Sequence, residues 1–234
     1  NIPFHSIIFP ATLIASETPF GTDADKWDPE KLDYTLVHHL NATEYINYEH
    51  GKFSKSCGVG VFGDNAEDSG VPADVFRYVL LYNRPESADT QFTWDGLKER
   101  LNNELVANLG NLVNRTITFT SRFFDGKVAS LDERGLDDSA KRFLEKYRAA
   151  IQEYKELMDA VRLREALQQL MKISSLGNHF FQESAPWKSR KDDPGKAKRD
   201  LALLVNIVKD LGILCEPFMP ATARNIFKQL DLQK

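Results

Sequence analysis

Two lysines three residues apart, Lys52 and Lys55, interleave with two hydroxyls, Ser54 and Ser56, around Phe53, and run directly into Cys57-Gly58-Val59-Gly60-Val61-Phe62-Gly63. Such a segment is suited to phosphate: the lysines bring positive charge, the serines short donors, and the glycines let backbone approach closely. On these residues alone, a solvated serine-rich loop with two ordinary lysines stays open as the alternative. A second set lies further along. Asn108, Asn111 and Arg115 fall at spacings of three and four, one face of a helix, beside a leucine stripe. Trp187 stands in Glu183-Ser-Ala-Pro-Trp-Lys188, next to a basic run of Lys188, Arg190, Lys191, Lys196, Lys198 and Arg199. An aromatic ring with an amide and a guanidinium can stack on and hydrogen-bond unpaired RNA bases. A tryptophan buried under its own loop, with a merely wetted Asn/Arg face, is the other reading.

Other chemistries find no residues. The histidines are scattered: His38-His39 sits in an alternating segment with one ring in and one out, His50 in a turn, and His179 after Gly177, where it caps or packs. No Cys/His spacing suits zinc, so no metal ligand is assigned. There is no Gly-rich Walker loop and no Gly-x-Ser-x-Gly elbow. The net charge of −4 argues against a protein that coats nucleic acid non-specifically, though it permits a local basic face. No apolar run approaches the roughly 20 residues of a membrane span, the start lacks the basic leader of a signal peptide, and two distant cysteines, Cys57 and Cys215, fit a reducing cytoplasm.

The elements that must position these groups follow from periodicity. Apolar side chains at 4, 7, 8, 9, 12, 13 and 14 predict a helix that Pro10 interrupts, and Thr18 to Pro29 reads as loop. Residues 34–49 alternate as one or two strands, turning at Glu49-His50-Gly51 into the Lys/Ser loop. Pro72 opens a short helix that buries Val75, Phe76, Val79, Leu80 and Leu81. From Thr93 the pattern is helical throughout. Leu97, Leu101, Leu105, Leu109 and Leu112 stripe a helix from Trp94 to about Phe123. A second helix carries Phe143 to Met158, a third runs from Leu163 and ends at Gly177, and a fourth follows a loop at Glu183–Pro194. The expectation is a mainly α chain: residues 1–92 with the Lys/Ser loop, then a helical bundle over 93–234.

Lys52-Phe-Ser-Lys-Ser56 resembles the KMSKS signature of class I aminoacyl-tRNA synthetases, with Phe53 in place of the usual methionine. The flanks Thr43-Glu-Tyr-Ile-Asn-Tyr-Glu-His-Gly51 and Gly58-Val-Gly-Val-Phe-Gly63 are similar to those of methionyl-tRNA synthetases, in particular the cytosolic eukaryotic, fungal-like type. So are Pro3-Phe-His-Ser-Ile-Ile-Phe-Pro10, Asn108-Leu-Gly-Asn-Leu-Val-Asn-Arg115 and Gly177-Asn-His-Phe-Phe-Gln-Glu-Ser-Ala-Pro-Trp187. The resemblance runs from end to end in order. It implies the end of a Rossmann-type catalytic domain with a stem-contact region over 1–92 and an anticodon-binding helical bundle over 93–234.

The family's activity is ATP-dependent: methionine is activated to methionyl-adenylate, then transferred to tRNA-Met. The resemblance assigns Lys52 and Lys55 to catalysis on the ATP phosphates, with Ser54 and Ser56 binding ATP and Mg²⁺ arriving with the nucleotide. It puts Asn1, where bacterial forms carry Ile, and His5 at the methionine pocket, and Asn111, Arg115 and Trp187 at the CAU anticodon. Asn108 carries no assigned role. Because the chain opens mid-element without an initiator methionine, it reads as a C-terminal fragment. The HIGH-type half, with a zinc-bearing insert, is expected upstream, and the fragment alone is expected inactive. Competing readings are another class I synthetase, of leucyl or valyl type, and an isolated tRNA-binding helical module.

Overall fold

Thr93 starts the long helix against which two later helices, Leu163–Ser184 and Pro194–Cys215, pack, its hydroxyl accepting from the Gly96 amide at 3.0 Å. In the computed structural model, which describes residues 1–17, 28, 33–49 and 51–232 (Asp64 by backbone only), this helix comprises α4 (Trp94–Arg100), a π-helical stretch (Leu101–Gly110) and α5 (Asn111–Phe124). Leu97, Leu109 and Leu112 are buried, while Leu101 and Leu105 are half-buried.

Two capping aspartates start the next helices. Asp137 accepts from the Ala140 amide at 2.8 Å to open α6 (Asp138–Asp159), and Asp193 from the Lys196 amide at 2.9 Å to open α9 (Pro194–Cys215). Between them lie α7 (Leu163–Ser184) and the short α8 (Pro186–Asp192), and α10 (Pro220–Gln229) follows. Leu112, Leu167, Leu170, Ile173, Leu204, Ile207 and Leu211 fill the core. Gly177 does not end a helix as its position suggested. It lies inside α7, and a Cβ there would come within 2.5 Å of Leu112 Cδ2. The glycine buys close packing.

Residues 45–92 are bolted to this bundle. Strands β1 (Ile46–Tyr48) and β2 (Thr90–Phe92) pair in parallel, Tyr48 opposite Phe92, with α2 (Gly63–Asp68) and α3 (Ala73–Tyr82) in the crossover. Asp74 of α3 accepts from the Thr222 amide and hydroxyl at 2.6 and 2.8 Å, and Arg77 donates to the carbonyls of Phe218 and Pro217. Tyr78 is fully buried; Leu80, expected inside, is 41% exposed. The chain divides into two compact units, Asn1–Glu44 and Tyr45–Lys234.

In the first unit, a π turn (Phe4–Ile8) continues into α1 (Phe9–Glu17) without a break at Pro10. The turn's open i→i+5 geometry sits just ahead of the proline, which has no N–H to offer. Most of the apolar residues expected inside this helix are exposed, Phe4, Ile7, Ile8 and Phe9 among them. Of the strand expected over 34–49, only 46–48 forms, since only those residues meet a partner strand among the described residues. The loop expected from Thr18 to Pro29 lies, Asp28 apart, outside the described residues, as does His50.

Candidate functional site

The Lys/Ser loop hangs from the end of β1. Tyr48 and Gly51 exchange backbone hydrogen bonds at 2.8 and 2.9 Å, and Ser54 and Val59 do the same at 2.8 and 2.9 Å. Between Ser54 and Val59 the chain turns through Gly58, at φ +65°. Phe53 anchors the loop. Its ring lies 5.4 Å from Tyr48 and covers Gly60, where a Cβ would fall 2.4 Å from Phe53 Cδ1 at φ +137°. Only glycine fits under that ring. Tyr48 in turn stacks on Phe92 and accepts from Trp94 Nε1 at 3.0 Å, so the loop base rests on an aromatic cluster.

Lys52 and Lys55 are exposed on either side of Phe53. Ser54 Oγ accepts from the Cys57 amide at 3.3 Å and lies 3.3 Å from Ser56 Oγ, so part of the hydroxyl capacity holds the turn itself. The Ser54 hydroxyl, and after it that of Ser56, holds the exposed Cys57 thiol below its ordinary range. Asn1 and His5 belong to the first unit, where both are exposed and the Asn1 carbonyl accepts from the amides of Phe4 and His5.

The second set converges on one ring. Arg115, on α5, lays its guanidinium 4.3 Å from the centre of Phe181 on α7 and donates to Gln182 Oε1 at 3.3 Å. Trp187 stacks on the same Phe181 at 6.1 Å and 24°. It is not in a loop: Pro186 opens α8 at the position where its missing N–H costs nothing, and Trp187 is the next residue. The joint is Ala185, held at φ +43°, a left-handed conformation that costs about 1–2 kcal/mol in a residue with a Cβ. That sharp joint folds the tryptophan back over α7.

Asn111 sits one helical turn before Arg115 and donates through Nδ2 to Asn178 Oδ1 at 3.1 Å. Asn178 Nδ2 donates to the Asn108 carbonyl at 2.9 Å and to Asn108 Oδ1 at 3.2 Å, and Asn108 Nδ2 donates to the Met171 carbonyl at 3.0 Å. Asn108 is therefore a link between helices. Asn178, Phe181 and Gln182 escape a reading of the sequence by motif. Their spacing of three and four on α7 answers Asn111 and Arg115 on α5, and that was the available signal.

The basic run divides. Lys196 lies 2.5 Å from Asp137 and 3.0 Å from the buried Asp200, tying α9 to the start of α6. Its ammonium holds the Asp137 carboxyl below the usual range, while burial pushes Asp200 up. Lys188, Lys191 and Lys198 are exposed. His38 and His39 are both exposed rather than alternating, and His179 faces outward, 3.3 Å from Glu183. Among the described residues no three His, Cys, Asp or Glu side chains come together as metal ligands.

Comparison with known proteins places both parts of the chain in one family. The family model described as tRNA synthetases class I (M) matches residues 1–117, and the one described as the anticodon binding domain of methionyl tRNA ligase matches residues 133–234. A methionine–tRNA ligase of Treponema denticola is 44% identical over 95% of the chain and 27% of its own length; the cytoplasmic one of Bos taurus is 44% identical over 99% and 24%. The chain thus spans about a quarter of the length of these relatives. Among solved structures, Mycobacterium tuberculosis methionyl-tRNA synthetase in complex with methionyl-adenylate superposes with a TM-score of 0.81 at 23% identity, over 99% of this chain and 43% of that one, which is a likeness of fold.

Proposed function

The chain belongs to the class I methionyl-tRNA synthetase family, and from that premise we propose that it serves a methionine–tRNA ligase, supplying the Lys/Ser half of the adenylation site and the anticodon reader. The observation that carries the reading is the meeting of Arg115 and Trp187 on Phe181, one helical turn from Asn111. That is a preformed stacking platform flanked by an amide and a guanidinium, suited to the unpaired bases of an anticodon loop. The tRNA read there is tRNA-Met through its CAU anticodon, in the cytoplasm. The eukaryotic, fungal-like subtype rests on the flanks of the signature loop.

In the first step the methionine carboxylate attacks the α-phosphorus of ATP and pyrophosphate leaves. Negative charge grows on the phosphate oxygens as the bond to the leaving group breaks. Lys55, inside the turn closed by the Ser54–Val59 pair, and Lys52, just ahead of it, bring two compact charges to those oxygens, and Mg²⁺ arrives as part of the nucleotide substrate. Charge placed where it develops lowers the barrier more than charge that favours the ground state. Ser54 and Ser56 divide between holding the turn and donating to phosphate. Asn1 and His5 contribute to the methionine pocket; the HIGH-type half and the zinc-bearing insert belong to the upstream part of the enzyme. In the second step the methionyl group passes to the 3′-terminal ribose of the tRNA and AMP leaves. We place the division between the catalytic part and the anticodon bundle at residues 92/93.

Two variants of the intact enzyme test this. Lys55→Ala lowers methionine-dependent ATP–pyrophosphate exchange by about 10²–10³, the size of a lost transition-state contact, and leaves tRNA affinity in place. Trp187→Ala does the reverse, reducing tRNA charging about 5- to 150-fold for one lost base stack. Unchanged charging by Trp187→Ala refutes the anticodon assignment.

A further inference from the structure

A cavity of about 560 Å³ opens between the end of α5 and the corner joining α8 to α9. Its charged lining is Lys127, Arg190 and Lys198 against one acid, Asp125, on a chain whose net charge is −4. Phe123 forms part of the wall, with the Arg190 guanidinium 4.1 Å from its ring centre and that of Arg122 at 5.5 Å. The ring occupies the flat face of Arg190 and leaves its N–H edge. Arg190 Nε is buried without a hydrogen-bond acceptor among the described residues, so the donors it can turn to the cavity are its terminal nitrogens. A fork of donors held against an aromatic wall, with two exposed ammonium groups beside it, fits a phosphate oxygen pair better than any neutral ligand.

The cavity also continues the stacking platform. Trp187 and Arg190 lie three residues apart on α8, about 4.5 Å along the helix and on one side of it. Beneath them runs an unbroken aromatic row: Trp187 to Phe181 at 6.1 Å, Phe181 to Phe119 at 6.1 Å, and Phe119 to Phe123 at 4.7 Å. A nucleotide stacked on Trp187 therefore has its backbone within side-chain reach of Arg190. We propose that Lys127, Arg190 and Lys198 form a seat for the RNA backbone, gripping a phosphate that flanks the anticodon bases. The seat rests on the reading of Trp187 as a base-stacking residue. It assigns two members of the basic run, Arg190 and Lys198, that Asp137 and Asp200 do not hold.

The test is the salt dependence of binding between the intact enzyme and an RNA stem-loop carrying the CAU anticodon, from about 50 to 200 mM salt. Each lost phosphate contact to single-stranded RNA flattens the slope of log K against log salt by about 0.7, so Lys127→Ala/Lys198→Ala flattens it by about 1.4. Affinity near 0.05 M salt falls roughly eightfold per lost contact on the same scaling. Both lysines are exposed, so the double variant folds. Arg190→Lys keeps the charge but loses the fork, and weakens binding with little change of slope. The same flattening is expected with stem-loops of other anticodon sequence, because a phosphate contact carries no sequence information. An unchanged slope in the double variant overturns the phosphate seat, even where Trp187→Ala still weakens binding and the anticodon reading stands. A flattened slope with Trp187→Ala binding normally keeps Lys127 and Lys198 as backbone contacts but refutes the anticodon assignment, and with it the place of the seat beside the anticodon bases.

Discussion

Replacing Asn178 by alanine removes the middle of a directed chain of amides. The chain is anchored at the Met171 carbonyl, which can only accept, so Asn108 must turn Nδ2 towards it and Oδ1 towards Asn178. Asn178 then donates through Nδ2 and accepts through Oδ1, at 3.1 Å, from Asn111 Nδ2. Asn111 Oδ1 is thereby left facing away from the chain as an acceptor, which on the proposed anticodon reading meets the exocyclic amino group of a cytosine or an adenine. Two consequences differ in kind.

The first consequence is stability. Asn178→Ala loses the bonds to Asn111 Nδ2, Asn108 Oδ1 and the Asn108 carbonyl, and a long one of 3.4 Å to the Ser174 carbonyl. At about 0.5–1.5 kcal/mol each, moderated because these groups are only partly buried and water reaches them, the loss is about 2 kcal/mol. For a chain of this size that lowers the melting temperature by about 4–8 °C. The second is discrimination. With no partner to fix its amide, Asn111 turns either end outward, and preference for an amino over a carbonyl group falls by about 1–3 kcal/mol, roughly 5- to 150-fold. The assay compares binding of stem-loops in which a single anticodon cytosine becomes uracil, or adenine becomes hypoxanthine. Asn178→Asp is the control, since a carboxylate still accepts from Asn111 while losing its donation to Asn108: it melts early yet discriminates. If Asn178→Ala melts several degrees early and keeps both base preferences, the amide chain does not set the polarity of Asn111.

Two further outcomes follow from packing and burial. In Gly177→Ala, the helix-propensity gain of about 1 kcal/mol opposes overpacking of about 1–3 kcal/mol against Leu112 and Ile207; we expect a net loss of about 1 kcal/mol in denaturant unfolding, and a gain means that Leu112 swings aside freely. Iodoacetamide labels the exposed Cys57, its thiol lowered by the Ser54 and Ser56 hydroxyls, well before Cys215, which is buried with its thiol pushed up to about 12; peptide mass spectrometry of the native protein showing equal labelling contradicts the burial of Cys215.

Legibility varied with the kind of signal. The leucine stripe located the helix from Trp94 to Phe124, because burial of one face is what a helix in a bundle requires. The same leucines also held an overlooked clue. Leu97, Leu101, Leu105 and Leu109 recur every four residues, and at 3.6 residues per turn such a row drifts about 40° per step, about 120° over the three steps. The π-helical stretch Leu101–Gly110 has more residues per turn and draws the row back towards one side. A strict spacing of four was thus a legible mark of the π geometry. Pro186 and Pro194 misled in the opposite direction: read as loop residues, both begin helices, because a proline at the first position forfeits no intrahelical bond.

The residues proposed to meet phosphate and to stack bases were legible as types, but not as partners. Six basic residues between Lys188 and Arg199 look equivalent in sequence, yet a cation is available to RNA only when no acid of the protein already holds it. Lys196 is held by Asp137, fifty-nine positions away, and by Asp200, while Arg190 is pressed onto Phe123 with a buried N–H left over. Both facts depend on where α6 begins and α5 ends relative to α8 and α9, which is tertiary information. Charge patterning therefore names a basic face, and the positions of its acids and rings decide which charges on that face can still be spent on a ligand.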